Sequence, residues 1–94
     1  MADEETDVAI AIKYDREKDN APRVIAKGMR LKAEQLREIA KQYNIPIMRN
    51  VGLANALYRV EVGQEVPEEL YDAVAEVLNF VNLLKQEQEA GRKK

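Results

Sequence analysis

The chain has 94 residues, carries a formal net charge of −2 from 15 basic and 17 acidic side chains, and is 46% hydrophobic. One small domain is expected at this length, and the near-balance of charges argues against a nucleic-acid partner. The chain contains neither cysteine nor histidine, which excludes disulfides, thiolate and Ser-His-Asp nucleophiles and most zinc or copper sites. It shows no apolar run near the ~20 residues that span a bilayer and no signal-peptide pattern, so we expect a cytoplasmic protein without membrane insertion.

The acidic, polar residues 1–7 are expected to form a flexible arm before the first strand. That strand is predicted from bulky side chains at every second position, namely Val8, Ile10, Ile12 and Tyr14. Ala9 and Ala11 lie between them, which is typical of a strand with one bulky face and one close-packed face, covered by helices on both sides. The other elements are expected to pack around it.

A second, shorter strand is predicted at Arg23–Lys27, stopped by Gly28 as a turn residue. It follows a charged loop, Asp15–Asn20, and a proline, Pro22, that favours extended backbone before it. The length of this connection suits either a hairpin-like return or a crossover, and the sequence leaves both open.

A helix is predicted from Leu31 to Tyr43, because apolar residues recur there at helical spacing. Asn44 and Pro46 are expected to end it. Ile45–Met48 then has the composition of a third short strand. The order strand, strand, helix, strand predicts a right-handed crossover onto a parallel neighbour.

Two further helices are predicted in the second half of the chain. Asn50 is expected to cap a short helix over Val51–Tyr58. Pro67, followed by two glutamates, is expected to open a long helix that runs to about Glu87, before a basic, frayed tail at residues 88–94.

These elements predict an α/β fold in a single domain over residues 8–87, with a small mixed sheet of three to four strands packed by two long helices and one short helix. The sequence contains no phosphate loop and no calcium-loop pattern. Its paired acids, Glu4-Glu5 and Glu68-Glu69, fall in the arm and in the first turn of a helix, where capping explains the second pair. We therefore expect no catalytic site, no metal site and no cofactor, and a binding function rather than an enzymatic one.

The last helix is apolar over more of its circumference than a surface helix needs. A tight core stripe is predicted at Leu70, Val74, Val77, Val81 and Leu84. Tyr71, Ala75 and Leu78 widen the apolar arc to roughly 200° or more, against about 100° for a surface helix. Either another element covers this flank or the flank is a docking surface, and the residues alone leave both open.

A family resemblance runs from residue 8 to about residue 85. The motifs that carry it are Val8–Asp15, Ala21-Pro22, Val24–Gly28, Arg37–Ala40, Asn44–Ile47, Leu53–Tyr58, Val62–Tyr71 and Ala73–Leu78. Together they resemble the C-terminal cytoplasmic domain of the FlhB/YscU family, the substrate-specificity switch of flagellar and type III secretion export machines. The flagellar branch is the closer of the two.

The resemblance implies a four-stranded sheet wrapped by helices and joined, in full-length members, to a membrane-embedded half. It also implies an Asn-Pro-Thr-His segment before the first strand, where the asparagine side chain closes a succinimide and breaks the Asn–Pro bond. In register, that segment is replaced here by Glu4, Glu5, Thr6 and Asp7. A glutamate has no carboxamide nitrogen to cyclise, so we expect no self-cleavage.

Met1 falls just before this point, so the expectation is a soluble counterpart of the cleaved C-terminal fragment, lacking the membrane half and the strand that leads into the motif. The resemblance implies a shallow apolar pocket for export substrates at Ala21, Pro22, Ala75 and Leu78, which favours a docking surface on the last helix. It also implies that Val8, Ile10 and Ile12 offer a free strand edge to a partner strand.

The implied partners are the membrane-embedded half of the flagellar export switch protein and export substrates or their chaperones. The implied location is the cytoplasm, at the export apparatus on the inner membrane. An alternative function is a soluble regulator that sequesters export substrates or chaperones away from the export gate.

Overall fold

Residues 7–80, which the computed structural model describes, begin with a two-stranded antiparallel sheet. Strand β1 spans Val8–Lys13 and strand β2 spans Arg23–Met29. Ile10 lies opposite Lys27 and Ile12 opposite Val24, with a register shift between Ala11 and Ile12 that leaves Ile25 as an extra residue in β2. Of the two connections that the sequence allowed, the chain uses the hairpin-like return.

The prediction of a mixed sheet with three to four strands is wrong for the described residues. Ile45–Met48 does not form a strand there. A strand exists by pairing with a neighbour, and residues 46–49 make no backbone–backbone hydrogen bond within residues 7–80. The apolar composition of this segment was read correctly, but the neighbouring strand that it needs is not among the described residues.

The two faces of the sheet differ as the alternation in β1 predicted. Ile10 and Ile12 pack against a core that lies on one side of the sheet and is formed by Val24, Leu53, Leu57, Val66 and Val74. On the other side, Ala9 lies opposite Gly28, where an added Cβ atom would stand 2.7 Å from the Cβ atom of Lys32. Gly28 is therefore not the turn residue that we expected, but a buried strand residue that lets the following helix approach closely.

Helix α1 spans Leu31–Gln42, one residue shorter than predicted. Its end follows the expected chemistry, since Asn44 adopts φ 57° and the N–H of Ile45 donates to the carbonyl of Ala40 at 2.8 Å. This is the Schellman arrangement, which satisfies carbonyls that the last turn leaves without partners. Helix α1 packs on both strands.

Helix α2 spans Val51–Leu57, and the Asn50 side chain accepts a hydrogen bond from the backbone N–H of Leu53 at 3.1 Å, as predicted. Lys27 closes the other end of this helix. Its Nζ atom donates to the carbonyls of Tyr58 at 2.8 Å and Val60 at 3.0 Å, and lies 4.8 Å from the centroid of the Tyr58 ring. This contact ties β2 to α2 across the core face.

The last helix begins after Pro67 with a single 3-10 turn, Glu68–Leu70, and continues as α3 over residues 71–80. Val74 is buried, and Leu70 and Val77 pack against the core, which confirms this part of the predicted stripe. Val81, Leu84, the predicted end near Glu87 and the tail at 88–94 lie outside the described residues. Within residues 7–80, no helix is long and apolar enough to cross a bilayer.

Candidate docking site

The outer edge of β2 is closed by the chain itself. The N–H of Gly63 donates to the carbonyl of Val24 at 2.7 Å, and the N–H of Val24 donates to the carbonyl of Gln64 at 3.1 Å. Arg23 and Glu65 form an isolated antiparallel bridge beside them. The Arg23 guanidinium adds hydrogen bonds to the carbonyl of Gly63 at 2.9 Å and to Glu65 at 3.4 Å.

The outer edge of β1 is open in the described part of the chain, because β1 pairs there with β2 alone. Val8, Ile10 and Ile12, which we predicted to offer this edge, are half-buried. Ile10 and Ile12 turn their side chains into the core. What the edge presents is therefore its row of backbone N–H and C=O groups, which is a template for another strand.

The connection from α1 to α2 is a second candidate, because its residues 46–49 make no backbone–backbone hydrogen bond within residues 7–80. Three of its apolar side chains are exposed, Ile45 by 54%, Ile47 by 45% and Met48 by 38%. Exposed apolar residues next to unpaired backbone suit an interaction with another strand.

An ion pair fixes the start of the open edge. The Asp7 carboxylate accepts two hydrogen bonds from the Arg37 guanidinium on α1, at 3.0 Å and 2.8 Å. The backbone carbonyl of Asp7 also accepts from the N–H of Arg30 at 2.6 Å. Such two-point pairing restricts both side chains to one geometry, so the first residue before β1 is held against the first helix.

The same contacts set the ionisation of the pair. Hydrogen bonding from Arg37 holds the pKa of the Asp7 carboxyl below its ordinary value; burial opposes this effect, and the positive charges of Arg37 and Arg49 lower the pKa further. The Arg37 pKa is raised in turn, mainly by its hydrogen bonds to Asp7. Both groups are charged at neutral pH.

Sequence reasoning missed this ion pair. Asp7 was assigned to a flexible arm, and Arg37 was one of several polar residues on α1. Their separation of 30 positions gives no local signal, since pairs on one helix are recognised by spacings of three or four. Glu4, Glu5 and Thr6, which we predicted to replace the rest of the self-cleaving segment, lie outside the described residues.

The four residues of the predicted substrate pocket differ in their exposure to solvent. Ala21 is buried and Pro22 is half-buried, and the carbonyl of Pro22 accepts from the N–H of Val66 at 2.8 Å. Ala75 is exposed next to buried Val74. Leu78 is half-buried and packs against the core. Of the apolar flank on α3, Leu78 is thus partly core, whereas Ala75 and the 39%-exposed Tyr71 face solvent.

The pocket at these four residues stays a prediction. A shallow depression of about 700 Å³ lies instead along α1, lined by charged side chains such as Glu34, Arg37 and Lys41. Its walls are long, solvated side chains of one helix, which is poor geometry for holding a small molecule. Residues 7–80 also hold no cluster of three or more acidic side chains that could bind a metal ion. The features suited to recognition are therefore a strand edge and an apolar surface.

Comparison of the chain with known proteins identifies its family. Residues 4–81 match the model of the family described as "FlhB HrpN YscU SpaS Family". The chain is 49% identical over 82 residues to the flagellar biosynthetic protein FlhB of Aquifex aeolicus, covering 86% of this chain and 23% of the relative. It is also 49% identical over 76 residues to the hypersensitivity response secretion protein HrcU of Ralstonia nicotianae, covering 81% and 21%.

A solved structure shows the same fold. The crystal structure of the cytoplasmic domain of FlhB from Shewanella putrefaciens is similar with a TM-score of 0.83 and 44% identity, over 88% of this chain and 65% of that one. The chain spans less than a quarter of the length of the two curated relatives described above. The likeness therefore concerns one domain of those proteins.

Proposed function

Because the chain belongs to the FlhB HrpN YscU SpaS family, as its motifs predicted, we propose that it acts in flagellar protein export by receiving a β-strand at the open edge of β1. The strand comes from the membrane-embedded half of the export switch protein. The observation that carries this proposal is the contrast between a closed outer edge on β2 and an unpaired one on β1. The domain then works at the cytoplasmic face of the membrane without inserting into it.

The chemistry of the edge defines the strand that fits. Added strands gain affinity from main-chain hydrogen bonds and specificity from alternate side chains. Ile10 marks the core face and Ala9 the face covered by α1. The incoming strand therefore carries bulky apolar residues on the core face and small residues on the α1 face.

The exposed segment Ile45–Met48 supports the same proposal. It has strand-like composition and exposed apolar side chains, and residues 46–49 make no backbone–backbone hydrogen bond within residues 7–80. A sheet that gains a strand on docking offers such a segment a neighbour, which agrees with the four-stranded sheet that the resemblance implies.

A second part of the proposal concerns export substrates. We assign the surface around Ala21, Pro22, Ala75 and Leu78 to an apolar segment of a substrate or of its chaperone. Support comes from Ala75, an exposed apolar residue one position after buried Val74, and from Leu78, which is half-buried beside it. Both parts of the proposal are non-covalent and require no catalysis. They are compatible with a chain in which Glu4 cannot undergo the cyclisation that an asparagine undergoes.

The docking proposal is tested by complementation. The chain is expressed in flagellated cells whose export switch protein has been truncated to its membrane-embedded half. We expect export and motility to be restored, and the chain to co-purify with that half from detergent extracts. The variant Val8→Lys places a charge at the open edge, which guards strand edges against pairing, and should abolish both results.

Ile25→Lys is the matched control, because Ile25 is a 49%-exposed apolar residue on the other strand. If Val8→Lys and Ile25→Lys both complement as well as the unchanged chain, the strand-docking proposal is wrong.

The substrate surface is tested separately with Ala75→Asp, for which Asn79→Asp on the same exposed part of α3 is the control. Ala75→Asp should weaken capture of hook-type substrates while leaving folding intact, as judged by circular dichroism. Substrate or chaperone binding that is strong in solution, combined with failure to restore export, would instead support the sequestering regulator.

A further inference from the structure

Apart from Lys13 at its end, the open edge of β1 lacks the devices that normally prevent strands from pairing with one another. Sheet edges in soluble proteins are commonly guarded by inward charges, proline or bulges. From Val8 to Ile12, β1 contains no charged residue and no proline. The extra residue of the register shift, Ile25, lies in β2, so the ladder positions of β1 run without an insertion.

We propose that β1 pairs with β1 of a second copy of this chain, antiparallel about a two-fold axis at Ile10. The two sheets then become one four-stranded sheet in the order β2, β1, β1, β2. In this register Ile10 lies opposite Ile10 of the second copy, and Val8 lies opposite Ile12. Ala9 lies opposite Ala11, so bulky residues meet bulky ones and small residues meet small ones.

Charge complementarity supports this register. Antiparallel pairing about Ile10 places Asp7 opposite Lys13 of the second copy, and the two-fold axis repeats the pair at the other end. Both residues are exposed. Asp7 keeps its contact with Arg37, because a carboxylate can accept more hydrogen bonds than the two that Arg37 donates. A shift by two residues in either direction would lose both ion pairs.

The expected spacing of the two α1 helices is compatible with this assembly. A two-fold axis perpendicular to the sheet brings the α1 helices of the two copies onto the same face. Each α1 covers a pair of strands that is about 9.6 Å wide, and helices pack at about 8–10 Å. One added pair of strands makes a small interface, so we expect a weak dimer.

The dimer uses the edge that the proposed function gives to a partner strand. Self-pairing therefore excludes docking, and the two states compete according to concentration. The inference does not depend on the proposed function, since the dimer forms from this chain alone and is measured without any partner.

Sedimentation velocity over a range of concentrations tests the pairing, with Kd as the readout. Lys13→Glu alone and Asp7→Lys alone each place like charges together at both ends, and each should raise Kd by about tenfold or more. An equimolar mixture of the two variants again brings opposite charges together at both ends and should restore dimerisation. Lys41→Glu is the control, because it makes the same charge change on α1 and should leave Kd unchanged.

A second measurement uses the absence of cysteine from the chain. Ile10→Cys, checked for folding by circular dichroism, should form an intermolecular disulfide under mild oxidation, because position 10 faces itself across the axis. Val62→Cys, at an exposed position outside β1, should not. A chain that stays monomeric at millimolar concentration, or a dimer whose Kd does not respond to Lys13→Glu, overturns the inference.

Discussion

The outer edge of β2 is hydrogen-bonded to the loop at residues 63–65, whereas the outer edge of β1 meets no backbone from the rest of residues 7–80. Both edges belong to the same two-stranded sheet and lie over the same core. Two strands alone seldom make a stable sheet in water, so the core and the helices on both faces support this one. The loop at residues 63–65 closes one edge, and the other edge has no backbone partner within residues 7–80.

Hydrogen exchange gives the largest expected difference between the two edges. The amides of Val24 and Gly63 donate backbone hydrogen bonds, so we expect them to exchange on the order of a hundredfold more slowly than the outward-facing amides of β1. The measurement is exchange monitored by NMR at low protein concentration, where the chain is monomeric. Equal rates at the two edges would remove the contrast.

Truncation of the Val24 side chain should destabilise the core beneath the closed edge. Val24 is fully buried, and Val24→Ala removes two methyl groups and leaves a cavity, at a cost of about 2–3 kcal/mol in the free energy of unfolding. Urea denaturation measures it. Ile25→Ala on the same strand is the control, and because Ile25 is 49% exposed it should cost clearly less.

Arg23→Gln probes the side-chain part of the closed edge. The Arg23 and Glu65 side chains are 43% and 44% exposed, and exposed ion pairs contribute about 0–1 kcal/mol. We therefore expect a loss below about 1 kcal/mol, with the backbone hydrogen bonds of Val24 intact. A loss as large as that of Val24→Ala would mean that the side chain, and not the backbone, closes this edge.

The smallest effect on stability is expected for a change of Asp7, at the start of the open edge. The Asp7 pKa lies below its ordinary value in the folded protein, so its contact with Arg37 stabilises the fold at neutral pH. This stabilisation is lost as pH falls from about 4, the ordinary aspartate value, through the folded-state pKa. Asp7→Asn should therefore reduce the melting temperature slightly at pH 7, and the difference from the unchanged protein should shrink as the pH falls below about 4. A difference that grows as the pH falls would contradict the assignment.

Local sequence patterns predicted most of the elements, because their chemistry is local. Alternation in β1, the Asn50 cap, the left-handed Asn44 and the opening at Pro67 each depend on a few neighbouring residues. The family motifs were equally readable, and the family match confirms them. The predicted substrate pocket at Ala21, Pro22, Ala75 and Leu78 stays a prediction, as does the absence of self-cleavage at Glu4.

Contacts between distant positions could not be read in this way. Gly28 looks like a turn residue in sequence, and its role emerged only from the approach of Lys32 to within 2.7 Å of its would-be Cβ atom. Ile45–Met48 looks like a strand, but a strand also needs a neighbour. The ion pair between Asp7 and Arg37 joins residues that no periodicity relates.

The sequence by itself determined where β1 lies and which of its faces is bulky, since side-chain alternation is a property of one segment. The tertiary structure decided which edges of the sheet are used, because an edge is defined by what the rest of the chain places beside it. The loop at residues 63–65 reaches β2 and no described residue reaches the far side of β1. The family resemblance could therefore predict a free edge at Val8, Ile10 and Ile12, but the closing of the β2 edge by the loop at residues 63–65 became visible only once the chain was folded.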